Sequence, residues 1–152
     1  MSDSTDDSSR RVLADLSSAV PFCGTLGVVL ESAAPAAVAG SLAWAPHRCT
    51  ASGVMHGGAL MGLADNLGGI CAYLNLPDGA TTSTIESKTN FFRGVRSGSV
   101  RGTARPLHIG RSTIVVETDL RDDADRRVAL VIQTQAILRP QRPEAILRPQ
   151  RP

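Results

Sequence analysis

The sequence predicts an α+β domain, one long buried helix with a curled antiparallel sheet of about five to six strands around it. Three observations carry that expectation. A nearly charge-free segment from Arg48 to Asp78 has apolar residues at helical spacing. Two short strand-like segments precede it, and four longer ones follow with Gly- and Asp-marked turns between them.

In chain order, residues 1–11 are acidic and Ser-rich and read as an unstructured tail with no signal-peptide core. Val12 to Val20 reads as a short helix ended by Pro21. GVVLESAA and AAVAGSLAW read as two strands broken near Pro35, and Ala45 to Gly53 as a loop. Leu60, Leu63, Leu67, Ile70 or Cys71, and Leu74 then recur at helical spacing with Ala and Gly between them. A helix apolar nearly all round is enclosed. Pro77-Asp78-Gly79 ends it. Strands follow over about Thr81 to Phe92, Ser99 to Leu107, Arg111 to Leu120 and Arg127 to Leu138, and short connections favour hairpins and meanders. Residues 12–138 form one domain. Residues 139–152 read as a flexible Pro/Arg tail in which AILRPQRP occurs twice.

Composition narrows the function classes. Net charge is +2 and aromatics are 3%, with no basic stripe interleaved with aromatics, so nucleic acid is not expected as a partner. No stretch has the length and uniformity of a membrane span. Cys23, Cys49 and Cys71 are odd in number and widely spaced, which suits reduced thiols in the cytoplasm and matches no metal pattern. Arg93, Arg96, Arg101, Arg105 and Arg111 form the one basic cluster, read as a solvated surface or as a site for phosphates.

The chemistry concentrates in HGGALMGLADN. Asp65 is the only formal charge between Arg48 and Asp78, and a lone carboxylate in so apolar a run is costly to bury unless it is paired. His56-Gly57-Gly58 marks the helix start, where backbone N–H groups lack partners and a ligand oxygen can approach without meeting a Cβ. Such donors can polarise a carbonyl while an acid acts as general base. Gly57 and Asp65 lie eight residues apart, about 12 Å along a helix. One carbonyl therefore reaches both only if they come from different subunits, which favours a dimer. His56 can act as a base or fix the loop by hydrogen bonding, and no second ligand at metal spacing accompanies it. Ser83, Thr84 and Ser87 offer hydroxyls on the strand after the helix.

HGGALMGLADN, with TTSTIESKTNFFRG and GRSTIVVETDL, resembles the hotdog-fold acyl-CoA thioesterases of the phenylacetate-catabolism and 4-hydroxybenzoyl-CoA type, from about residue 20 to 138. The resemblance implies a hotdog fold paired into a homodimer, often a dimer of dimers, that hydrolyses an acyl-CoA thioester and needs no cofactor, since CoA is part of the substrate. It implies Asp65 as general base or nucleophile and Gly57 of the opposite subunit as the carbonyl-polarising N–H. His56 joins them in the catalytic group, as does Thr84, which helps position water. Gly58, Thr50, Asn66, Arg93, Gly94 and Arg111 are the implied substrate-binding positions, with Arg93, Gly94 and Arg111 in regions that line the CoA channel. Thr50 stands where many members carry Asn or Gln; it is shorter and lacks an amide. Two other readings remain open on this scaffold. One is an acyl-CoA binding protein without turnover. The other is an enoyl-CoA hydratase or dehydratase using His56 and Asp65.

Overall fold

The computed structural model describes residues 3–140, with the side chains of residues 3–9 left aside; the duplicated octapeptide lies largely outside the described residues. Helix α1 spans Asp3–Ser18 and α2 spans Pro21–Leu26. Strands β1 (Val28–Ala34) and β2 (Ala37–Ala43) follow, then helix α3 (Gly57–Tyr73). The last four strands are β3 (Thr81–Phe91), β4 (Ser99–Ile109), β5 (Thr113–Asp122) and β6 (Arg127–Leu138). All six strands form one antiparallel sheet in the order β1-β2-β4-β5-β6-β3, and α3 packs on every one of them. This is the hotdog arrangement.

Three local expectations are corrected. The first helix begins at Asp3 rather than Val12. Pro21 does not merely end that helix but opens α2, at a position where its missing N–H costs nothing. β3 does not pair with β4 in a four-strand meander. It pairs with β6 at the far edge, because α3 carries the chain across the sheet and the 92–98 segment brings it back.

The core alternates with the strand period. On β5, Ile114, Val116, Thr118 and Leu120 are buried while the residues between them are not. They meet Leu60, Leu63 and Leu67 of α3, together with Val38, Leu42, Val100 and Val131. Leu67 sets the closest approach of helix to sheet. Gly40 and Gly102 are register partners on β2 and β4, and a Cβ at Gly102 would stand 2.6 Å from one Leu67 methyl while a Cβ at Gly40 would stand 2.9 Å from the other. The paired glycines are the slot that receives the leucine. Gly102→Ala is therefore expected to overpack the core and lower stability by about 1–3 kcal/mol in denaturant titration.

The outer face of the sheet is charged. Asp119 is hydrogen-bonded by Arg121 (2.9 Å) and doubly by Arg127 (2.8 and 3.0 Å). Partial burial pushes its pKa upward, but the two arginines outweigh that and hold the carboxyl below its ordinary value. A depressed carboxylate pKa contributes stability that is present above the unfolded-state pKa and lost as pH falls through the folded one. A loss of Tm below about pH 4, smaller in Asp119→Asn, is the expected result of thermal scans across acid pH.

Candidate active site

The loop before α3 is held from several directions. Arg48 donates through Nε to the Leu26 carbonyl (2.7 Å) and through Nη1 to the Ala43 carbonyl (2.9 Å), tying the end of α2 to the end of β2. The His56 N–H donates to the Arg48 carbonyl and the Met55 N–H to the Val95 carbonyl, each at 2.8 Å. His56 is the N-cap of α3, and its Nδ1 accepts the Gly58 N–H at 2.8 Å. The histidine thus fixes the loop, and the Gly58 N–H is already engaged. The Gly57 N–H has no acceptor among the described residues, and the Phe91 ring lies where a Gly57 side chain would project. Of the two helix-start donors expected from sequence, only Gly57 is left for a ligand.

Asp65 is placed differently from expectation. It is exposed in the single chain, not enclosed, because a sheet covers only the helix face it wraps. Met61 (39% exposed), Asp65, Gly69 and Tyr73 (57% exposed) form an open stripe at four-residue spacing along an otherwise buried helix. Asp65 faces a cleft of about 590 Å³ between α1, α3 and β3, which Leu16, Val20, Ile70 and Tyr73 line on the apolar side and Thr82 and Thr84 on the polar side.

Thr84 is brought to Asp65 by a residue that sequence reasoning missed. The Gln133 side-chain amide, wholly buried on β6, donates to Asp65 Oδ1 and to Thr84 Oγ1 (3.3 Å). Gln135 donates to the same Thr84 oxygen at 2.8 Å and accepts from Thr82 Oγ1 at 3.1 Å. The signal was in the sequence. Along β6, Ala129, Val131, Gln133 and Gln135 share the inward face, and polar residues in core positions mark function or error.

The other expected residues do not converge in one chain. Asn66 lines the cleft, but its amide is spent on structure: Oδ1 accepts the buried Cys23 thiol (3.0 Å) and Nδ2 donates to the Gly62 carbonyl (2.8 Å). This bond pins α2 to α3, and burial pushes the Cys23 thiol pKa up. Thr50 is exposed in a turn, its hydroxyl 3.0 Å from Ser52 Oγ. Arg93 follows β3 beside Val128, and Gly94 packs near Val54. Arg111 lies in the β4–β5 turn, where its carbonyl accepts from Arg139. Val128, which Arg93 bonds, and Ile137, which bonds Ser112 beside Arg111, are about 30 Å apart along β6. Arg101 instead pairs with Glu31 on the outer face at 2.9 Å, so the basic cluster of the sequence is dispersed. Among the described residues no group of His, Cys, Asp or Glu stands where it could hold a metal ion, and no helix is long and apolar enough to cross a membrane.

The thioesterase superfamily model matches residues 52–129, the span that holds α3, β3, β4, β5 and the start of β6. A Mycobacterium tuberculosis protein that bears the name "putative esterase" is 32% identical over 119 residues, which are 76% of this chain and 85% of that protein. The proofreading thioesterase EntH of Cronobacter sakazakii is 37% identical over 86 residues, 57% of this chain and 63% of the relative. The match to a Vibrio cholerae relative spans only 58% of its length. Among solved structures, a thioesterase from Pseudomonas aeruginosa superposes with a TM-score of 0.79 at 28% identity, covering 83% of this chain and 93% of that one. These matches make the chain a member of the thioesterase superfamily, a family of thioester hydrolases with the hotdog fold.

Proposed function

We propose that the protein hydrolyses an acyl-CoA thioester as a homodimer, assembled further into a dimer of dimers. The observation that carries this reading is the placement of Asp65, an open carboxylate beside a largely apolar cleft, eight residues along one rigid helix from the free Gly57 N–H. That separation, about 12 Å, puts the two at one carbonyl only when they come from opposite subunits. The open stripe on α3 and the exposed Ile85, Phe91 and Phe92 on and beside the unpaired edge of β3 leave apolar surface for a second copy to cover.

In this reading the thioester oxygen accepts the Gly57 N–H at the positive end of α3. Asp65 takes a proton from water as the water oxygen bonds to the carbonyl carbon. When the C–S bond breaks, the CoA sulfur leaves as a thiolate and recovers that proton. Asp65 attacking as a nucleophile is the variant of the same site. Arg93 and Arg111 lie at opposite ends of the sheet, so they serve the phosphates of one CoA only when they come from different subunits. The capping role of His56 favours hydrolysis over hydration, since its Nδ1 is already occupied. With Cys23, Cys49 and Cys71 all free thiols, we assign the protein to the cytoplasm.

The test is thiol release by the purified protein and by Asp65→Asn over phenylacetyl, hydroxybenzoyl, short, medium and long acyl-CoAs. Release by the parent alone supports the reading and names the acyl class. Saturable binding of CoA esters with no release from any of them would replace it with a binding protein.

A further inference from the structure

We propose that Gln133 is a positioning residue that sets which atoms of Asp65 and Thr84 face the substrate, an inference that rests on the hydrolase reading above. The hydrogen bonds leave little freedom. A hydroxyl has one proton and two lone pairs. Thr84 Oγ1 accepts from the amides of both Gln133 and Gln135, so its lone pairs are occupied and only its O–H remains. That proton has no acceptor among the described residues, and Thr84 lines the cleft. Gln133 also holds Asp65 Oδ1, leaving Oδ2 as the acceptor with no partner among the described residues. The network therefore presents one donor and one acceptor side by side to a water molecule: Oδ2 to take its proton and the Thr84 O–H to hold its oxygen.

Orientation follows from the same contacts. Gln135 Oε1 lies 3.1 Å from the Thr82 hydroxyl, whose one proton it shares with the Ala136 carbonyl at 2.9 Å. Turning Gln133 over would set its own carbonyl oxygen against the Asp65 carboxylate. The arrangement also has a cost that a purely structural residue would avoid. Gln133 Oε1 and Thr118 Oγ1 are buried with no hydrogen-bond partner, which destabilises the fold. Gly68 makes room for that oxygen, because any Cβ there would collide with it. An apolar side chain of like size would pack at Gln133 without the unpaired Oε1. Retaining a costly polar group where two reacting groups meet is what a positioning role requires.

The test is Gln133→Met in the 152-residue chain, with Tm, kcat and KM measured on the best acyl-CoA of the panel. The expected result is a Tm equal to or above the parent's, a KM within about twofold and a kcat lower by about 10- to 100-fold, the effect of a loosened reacting group. A variant with the parent's kcat overturns the proposal. So does a variant whose activity falls only in step with its folded fraction. A second measurement is independent of turnover: the side-chain NH₂ signals of Gln133 in a ¹⁵N-labelled sample are expected to shift in Asp65→Asn. Signals that do not move overturn the contact itself. A parent that cleaves no thioester while those signals do shift would leave the contact standing and remove the hydrolase reading, and with it the positioning role.

Discussion

Replacing Asp65 with Asn is expected to lower kcat by about 10²- to 10⁴-fold, the range for a lost general base, with little change in Tm. The two halves of that expectation have different origins. The carboxylate is exposed in the single chain and its one described protein partner is the Gln133 amide, so an isosteric amide leaves the packing of α3 untouched. An asparagine cannot take a proton from water or attack a carbonyl carbon. Its oxygen can still accept from Gln133, so substrate affinity is expected to survive. A KM within a few-fold of the parent alongside the kcat loss is the signature of a group that acts in the transition state rather than in binding. An Asn variant as fast as the parent would remove Asp65 from the reaction.

Leu67→Ala is expected to have the largest effect on stability, about 2–5 kcal/mol in denaturant titration. Leu67 is fully buried on α3, and its two methyl groups fill the slot over Gly40 and Gly102. The glycines have no side chains to move into the space, and their backbones are held in the β2–β4 register. The cavity therefore stays open, which places the cost toward the upper part of the range. Against a total stability of about 5–15 kcal/mol for a domain of this kind, that is a large fraction. The loss should exceed that of Gly102→Ala at the same contact, and a cost below about 1 kcal/mol would mean that the helix settles onto the sheet when the leucine is shortened.

Local chemistry was legible in the sequence wherever it is set by neighbours along the chain. The period of Leu60, Leu63 and Leu67 marked α3, Gly- and Asp-marked connections delimited β4, β5 and β6, and Pro35 marked the turn between β1 and β2. The lone charge in an apolar run singled out Asp65, and the Gly-Gly after His56 singled out the helix start. Rigid spacing on one helix was enough to separate Gly57 from Asp65, a conclusion that holds for any fold.

Tertiary structure decided the rest, because pairing across strands and between elements has no signature at short range. The strand segments and their connections do not distinguish a β3 beside β4 from a β3 beside β6, yet only the second brings Thr84 next to Gln133. The apolar character of α3 read as enclosure on all sides. The sheet wraps one face and leaves the Met61, Asp65 and Tyr73 stripe open, so hydrophobicity alone could not say which face is covered by the same chain. Arginines close in the sequence were separated by the length of the sheet. Asn66, adjacent to the acid, points back to Cys23, because neighbours on a helix differ by about 100° in direction. Asp65 could thus be chosen from the sequence, whereas Gln133, sixty-eight residues away, became its partner only when β6 was laid beneath the helix.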